Sequence, residues 1–171
     1  MAREETMAGL DKVRETFAEF LRAGGLEAVT AWPETARSRI EGVVAAVSLR
    51  SCEGGPAGFQ DYLGERYNAE AGRWEELYGK KVRLVLGLDL YAPRGVGEAG
   101  IRTAFDSLAE RLRSEGPEGL RLLELSGGET TYDQGLGLYH EVVEVVCEAY
   151  LYAVADEGGA FLDFEIRGER T

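Results

Sequence analysis

The sequence predicts an α+β domain: one mixed or antiparallel sheet of about five strands, with an N-terminal helix and a second helix packed on one face. Three observations lead there. Two segments, 4–23 and 98–114, repeat apolar residues at three- and four-residue steps, the period of a half-buried helix. Residues 80–91 alternate strictly, with Val82, Leu84, Leu86, Leu88 and Leu90 on one side. The other side carries Lys81, Arg83, Val85, Asp89 and Tyr91, so that strand has a core face and a mostly wet face. A chain of 171 residues suits a single domain spanning 1–171.

In chain order, Met7, Leu10, Val13, Phe17, Phe20 and Leu21 form the apolar stripe of the first helix, and Gly24-Gly25 stops it. Leu26–Trp32 reads as a short turn, closed at Trp32 because a residue before proline is pushed out of the helical region. Ile40–Ser51 alternates as a strand, with Val43, Ala45, Val47 and Leu49 on one face. Residues 52–79 carry many glycines and five aromatics, Phe59, Tyr62, Tyr67, Trp74 and Tyr78, and read as a long loop or arm. That aromatic content argues against a disordered linker. Ile101, Phe105, Leu108 and Leu112 line the second helix, which Gly116-Pro117 ends. Leu120–Leu125 follows as a short strand and 126–135 as a polar loop. Residues 136–155 are ambiguous. Glu141, Glu144 and Glu148 share a helical face, whereas Val142, Val143, Val145 and Val146 favour a long strand, with or without a bulge. The strand reading is preferred. A hairpin-like turn at 156–159 leads to a final strand, Phe161–Arg167, with Leu162, Phe164 and Ile166 on one side.

The formal charge is −12, and it is localised. Residues 1–114 hold 18 acids and 16 bases; residues 115–171 hold 13 acids against Arg121, Arg167 and Arg170. Such a balance excludes sequence-specific nucleic-acid binding, which needs a basic patch, and docking on anionic lipid. The start has neither the basic region nor the apolar run of a signal peptide, and no segment is apolar enough to span a bilayer. A cytoplasmic protein is expected. Cys52 and Cys147 are 95 positions apart, in no framework or metal-ligand spacing, and read as reduced thiols.

Motifs of catalysis are scarce. Gly95-Val96-Gly97-Glu98-Ala99-Gly100 spells a dinucleotide fingerprint between a strand and a helix. It lies beyond Ala92-Pro93-Arg94, places Glu98 where a phosphate would sit, and heads a single strand–helix–strand unit, so no cofactor is assigned to it. His140 is the lone histidine, which rules out a multi-histidine metal site within one chain. Cys147 stands seven residues from it, on the opposite face of a strand. No serine-nucleophile elbow is present, and acid pairs such as Glu75-Glu76 are unavoidable among 31 acids. No catalytic or metal-binding residue is assigned. The aromatic segment is more telling, because Tyr, Trp and Arg are enriched at interface hot spots. Phe59, Tyr62, Arg66, Tyr67, Arg73, Trp74 and Tyr78 are the candidate subunit contact residues; the other readings are that the aromatics simply cover one end of the sheet, or line a small-ligand pocket.

The stretch GPAGFQDYLGERYNAEAGRWEELYGKKVRLVLGLDLYAP, then AFDSLAERL, GGETTYD, the valine-rich segment and DEGGAFLDFEIRGE resemble small tail-assembly proteins of phages and prophages. The resemblance is to the tail terminator (tail completion) group and covers about residues 40–168. It implies a structural protein without catalytic activity, formed in the cytoplasm of a host bacterium and carried in the virion tail. Its implied partners are further copies of itself in a ring, usually six, the tail tube protein and the head–tail connector. DNA would cross such a ring, and carboxylates on its lumen would repel the duplex. Glu129, Asp133, Asp156 and Glu157 are the candidate lumen residues, and the aromatic segment would contact a neighbouring subunit or the tube. A monomeric or dimeric ligand-binding or regulatory α+β domain is the alternative, followed by a hydrolase with a carboxylate site.

Overall fold

The computed structural model describes residues 10–31, 40–54, 61–156 and 161–167. Among these residues it is an α+β fold with two helices and one mixed sheet. The centre of the sheet is β4, Arg73–Pro93, a strand of 21 residues and so about 70 Å long. It pairs antiparallel with β7, Leu138–Glu141, and β8, Val143–Asp156, in one continuous register. Pro93 lies opposite Leu138, Leu90 opposite Glu141, Gly87 opposite Glu144 and Glu75 opposite Asp156. From Leu138 on, the valine-rich 136–155 segment is therefore strand, with a single interruption at Val142, while Leu136 and Gly137 belong to the preceding turn.

This two-stranded spine is flanked differently along its length. On its proximal half, β2, Val44–Gly54, pairs with β4 from Tyr91 to Val82, and β1, Glu27–Val29, lies parallel to β2. On the other side β5, Arg121–Gly127, pairs with β8, and β6, Thr131–Asp133, with β7. On the distal half, β3, Asp61–Asn68, pairs with β4, and β9, Phe161–Arg167, with β8. The expectation of about five strands thus becomes nine among the described residues, because the long strands change neighbours partway along. Two local readings also change. Residues 26–32 hold strand β1, too short to show a period, with Trp32 outside the described residues. The polar loop 126–135 contains β6.

The largest correction concerns residues 52–79. Instead of one loop, they hold the end of β2, all of β3 and the start of β4. Asn68–Arg73 closes a hairpin, where the Asn68 side-chain oxygen accepts from the amides of Glu70 and Ala71. The strands carry no apolar alternation because both faces of this hairpin are partly wet. Phe59 and the 157–159 part of the expected final turn lie outside the described residues, as do the side chains of β9.

Both helices cover only the proximal half. Helix α1, Leu10–Ala23, packs on β1 and β2; helix α2, Gly97–Ser114, packs on β4, β5 and β7. Their stripes, Val13, Phe17 and Leu21 with Ile101 and Leu108, share a core with Val82 to Ala92 of β4, Ala45 and Val47 of β2, and Val145 and Cys147 of β8. No helix among the described residues is long and apolar enough to cross a membrane.

The C-terminus of α1 is held twice. Gly25, at φ 90°, lets the amides of Gly25 and Leu26 turn back to the carbonyls of Arg22 and Leu21, at 3.0 and 3.1 Å. From α2, Arg111 donates to the carbonyl of Phe20 and lays its guanidinium over that ring, 3.7 Å from the centroid. The same side chain occupies the space a Cβ would need at Gly24. Replacing Arg111 with Gln should therefore loosen α1 and lower stability by about 1–2 kcal/mol in denaturant unfolding. Amide exchange should rise first at 20–24.

Candidate functional site

Toward Arg73 from Lys80 the sheet runs on with no helix of the described residues over it, and burial on β4 changes face. Val82 to Ala92 bury the helix side; Glu75 and Leu77 bury the opposite side. The helix-side face of the distal half carries aromatics instead. Tyr78 lies opposite Tyr62 and Trp74 opposite Tyr67, with ring centroids 5.5 and 5.4 Å apart. Tyr62, Tyr67 and Trp74 stay 51%, 55% and 48% exposed. On an even strand Tyr62 and Tyr67 would point to opposite faces, being five residues apart. One extra residue, Leu63, next to Gly64 at φ 126°, makes a β-bulge that brings all four rings to one side.

Acids are woven between the rings. Tyr78 donates to Glu76 at 2.9 Å, and that bond, followed by desolvation, holds its phenol above the ordinary range. Tyr62 is raised by desolvation and then by Glu65 and Glu76. Both phenols therefore remain neutral donors. On the other face, Glu75 is almost fully buried and takes Arg66 at 3.2 Å and Arg73 at 3.5 Å, with Asn68 at 3.4 Å. The candidate contact residues thus separate into a tyrosine–tryptophan face and an arginine–glutamate face of one hairpin.

A second polar group lies on the proximal half, on the side away from the helices. A bulge in β2 adds Arg50 between the pairs Leu49–Leu86 and Ser51–Val85. Arg50 crosses over Gly87 of β4 and donates to Asp89 at 2.6 Å and Glu144 of β8 at 2.8 Å. Gly87 is required for that crossing: a Cβ there would meet Arg50 Nε and Cζ at 2.8 Å and Ser48 Oγ at 2.6 Å. Asp89 also accepts the Val143 amide at 3.2 Å, beside the one break in the spine pairing. His140 stacks on Tyr91, with centroids 4.4 Å apart and planes 6° from parallel. Lys81 and Arg121 reach Glu148, at 3.0 and 3.8 Å.

The acidic candidates do not form one patch. Glu129 and Asp133 sit beside β6 at the proximal end, where Asp133 accepts the Leu136 amide and closes a turn. Asp156 ends β8 opposite Glu75, about 60 Å away along the strand. Glu157 is outside the described residues.

The remaining chemical candidates resolve into packing. Cys147 is in the core, where burial pushes its thiol up to about 12, so it offers no thiolate at neutral pH. It lies on the helix side and His140 on the other. The glycine run at 95–100 makes a turn closed by Val96 N–H to Pro93 O at 3.0 Å and starts α2 at Gly97, φ 66°. Gly100 is where Val96 packs, since a Cβ would come within 2.1 Å of Val96 Cγ1. β4 and β5 have β8 between them, so no parallel βαβ unit of adjacent strands forms. No cluster of three metal-ligating side chains occurs among the described residues. No protein-family model matches the chain, and no curated protein matches it.

The helix face holds one buried acid that sequence reading passed over, Glu141. It lies 2.7 Å from where a Gly127 Cβ would stand, in a pocket edged by Phe105. Desolvation raises its carboxyl; Asp106 adds to this and Arg102 opposes it.

Two outcomes follow. Because the folded carboxyl of Glu141 is raised, its neutral form favours the fold. That contribution is complete below the ordinary carboxylate range and is lost as pH rises through the raised value. Glu141→Gln should therefore be more stable than wild type at pH 7, with the gap closing near pH 4, in unfolding midpoints measured across pH. Gly87→Ala should cost about 1 kcal/mol by displacing Arg50, and less in an Arg50→Ala background, as a double-mutant cycle will show.

Proposed function

We propose that this chain is a structural tail-assembly protein of a phage or prophage, a tail terminator that closes the tail tube with a ring of its own copies and joins it to the head. The observation that supports it is the distal sheet, over which the described residues place no helix, with its exposed tyrosine–tryptophan face. A four-stranded sheet needs a layer over it to bury apolar surface, and the described elements place none there. Tyr and Trp give large contact area at small entropic cost, and they concentrate at the centres of protein interfaces. In this reading Tyr62, Tyr67, Trp74 and Tyr78 contact a neighbouring copy or the tube.

A long arm carrying its contacts far from the main core suits a heterologous, head-to-tail association, which closes into a ring. The localised acidity supports the same reading. A lumen lined with carboxylates holds no phosphate and lets a duplex slide. Since Asp156 and the Glu129–Asp133 pair stand at opposite ends of the spine, only one of these ends lines the lumen in this proposal. The tail tube protein and the head–tail connector are its further partners, met in the bacterial cytoplasm during assembly and retained in the virion.

The test is assembly. Wild-type chain, alone and with tail tubes, is examined by light scattering and negative-stain electron microscopy, beside the Tyr67→Ala, Trp74→Ala double variant. Wild type is expected to give rings of about six copies, free or on tube ends. The double variant should remain a folded monomer. A wild type that stays monomeric in both conditions overturns the reading, and a double variant that assembles like wild type removes the aromatic face from it.

A further inference from the structure

The one interruption of the spine, at Val142, lies two residues from the chain's only histidine, His140. His140 Nε2 is buried and has no hydrogen-bond partner among the described residues. It stands 3.7 Å from Asp89 Oδ2, too far for a hydrogen bond and close enough for an ion pair. The other oxygen of Asp89 is committed, to Arg50 Nη2 at 2.6 Å and to the Val143 amide at 3.2 Å. We propose that His140 and Asp89 form a proton-operated latch between β7 and β4. In it, uptake of one proton by His140 draws Nε2–H onto Asp89 Oδ2 and fastens the proximal end of the spine.

The surroundings define what the proton does. Asp89 and Tyr91 face the imidazole from β4, Arg50 reaches the same carboxylate from β2, and Glu144 lies beyond Arg50 on β8. Thr131 of β6 is the backbone partner of His140 on the outer side. With the imidazole neutral, Nε2 meets the carboxylate either as a lone pair, which repels it, or as an uncharged N–H donor, the weaker of the two possible bonds. With it charged, the same atom is a donor to an anion, and a shift of under 1 Å closes the bond. Stacking on Tyr91 fixes the ring plane, so the movement is a tilt within the existing sheet. Arg50 remains on Oδ1, so Asp89 serves both cations without exchanging one for the other. Since β6 is held to the sheet through β7, the latch controls how firmly the β6–β7 edge is attached. The inference does not depend on the assembly reading.

As the only histidine, His140 can be followed without assignment ambiguity in the full-length chain by nitrogen-15 nuclear magnetic resonance. At pH 5.5 an Nε2–H signal protected from solvent exchange is expected, and at pH 8 that protection should be lost. In parallel, amide exchange at 139–143, corrected for its intrinsic pH dependence, should be roughly three- to tenfold slower at pH 5.5 than at pH 8 in wild type. His140→Phe, which keeps a ring over Tyr91 but has no nitrogen, should show no such difference. A rapidly exchanging Nε2–H at pH 5.5, or the same pH dependence at 139–143 in His140→Phe, overturns the latch. Should His140→Phe fail to fold, the wild-type nitrogen signal decides alone.

Discussion

The pairing of β4 with β7 and β8 in a single register is the constraint on which the rest depends. Because that register never shifts, the two faces of the sheet are defined from Glu75 to Pro93, and every other element is placed relative to them. Helices occupy one face at one end. At the other end no described helix covers the same face, and the aromatic rings lie there. The division into a packed half and a presenting half comes from helix length: 14 and 18 residues of helix cover about 21 and 27 Å, well short of the spine.

Bulges and glycines then adjust single side chains against that rigid frame. Leu63 with Gly64 turns Tyr62 onto the face of Tyr67 and Trp74. The extra residue Arg50, with Gly87 beneath it, bridges three strands through one guanidinium. These are small departures in backbone geometry, yet each decides which residues meet. The glycine run after β4 shows the opposite case. Its spacing looks like a phosphate cradle, while its physical role is a turn, a helix start and a close approach to Val96.

What was legible in the sequence follows from periodicity. Val82 to Leu90 announce a strand with one core face, and Ile101, Phe105 and Leu108 announce a helix, because each lies on one boundary between core and water. The final strand was bounded correctly by its alternation. β3 and the start of β4 escaped because their faces alternate tyrosine, glutamate and arginine, so no apolar period appears, and the bulge breaks what alternation remains. β1 and β6, at three residues each, are too short for any period. The aromatic residues could be picked out by type alone, but their shared face required the bulge. The Arg50–Asp89–Glu144 bridge joins residues up to 94 positions apart, and nothing local in the sequence marks it.

The spine also imposes an order on synthesis. β4 leaves the ribosome long before β7 and β8, and about 60 further residues must follow before its second edge can be filled. At roughly 5–20 residues per second this takes several seconds. During that time β4 has only the β2 and β3 side to pair with, and its apolar face depends on α2, made directly after it, for cover. Loss of the last third would remove its central partner as well as a terminal ornament, so a shortened chain would expose an unpaired, leucine-rich strand about 70 Å long. Quality control by proteolysis would find such a product readily, which ties delivery of the intact acidic third to survival of everything made before it.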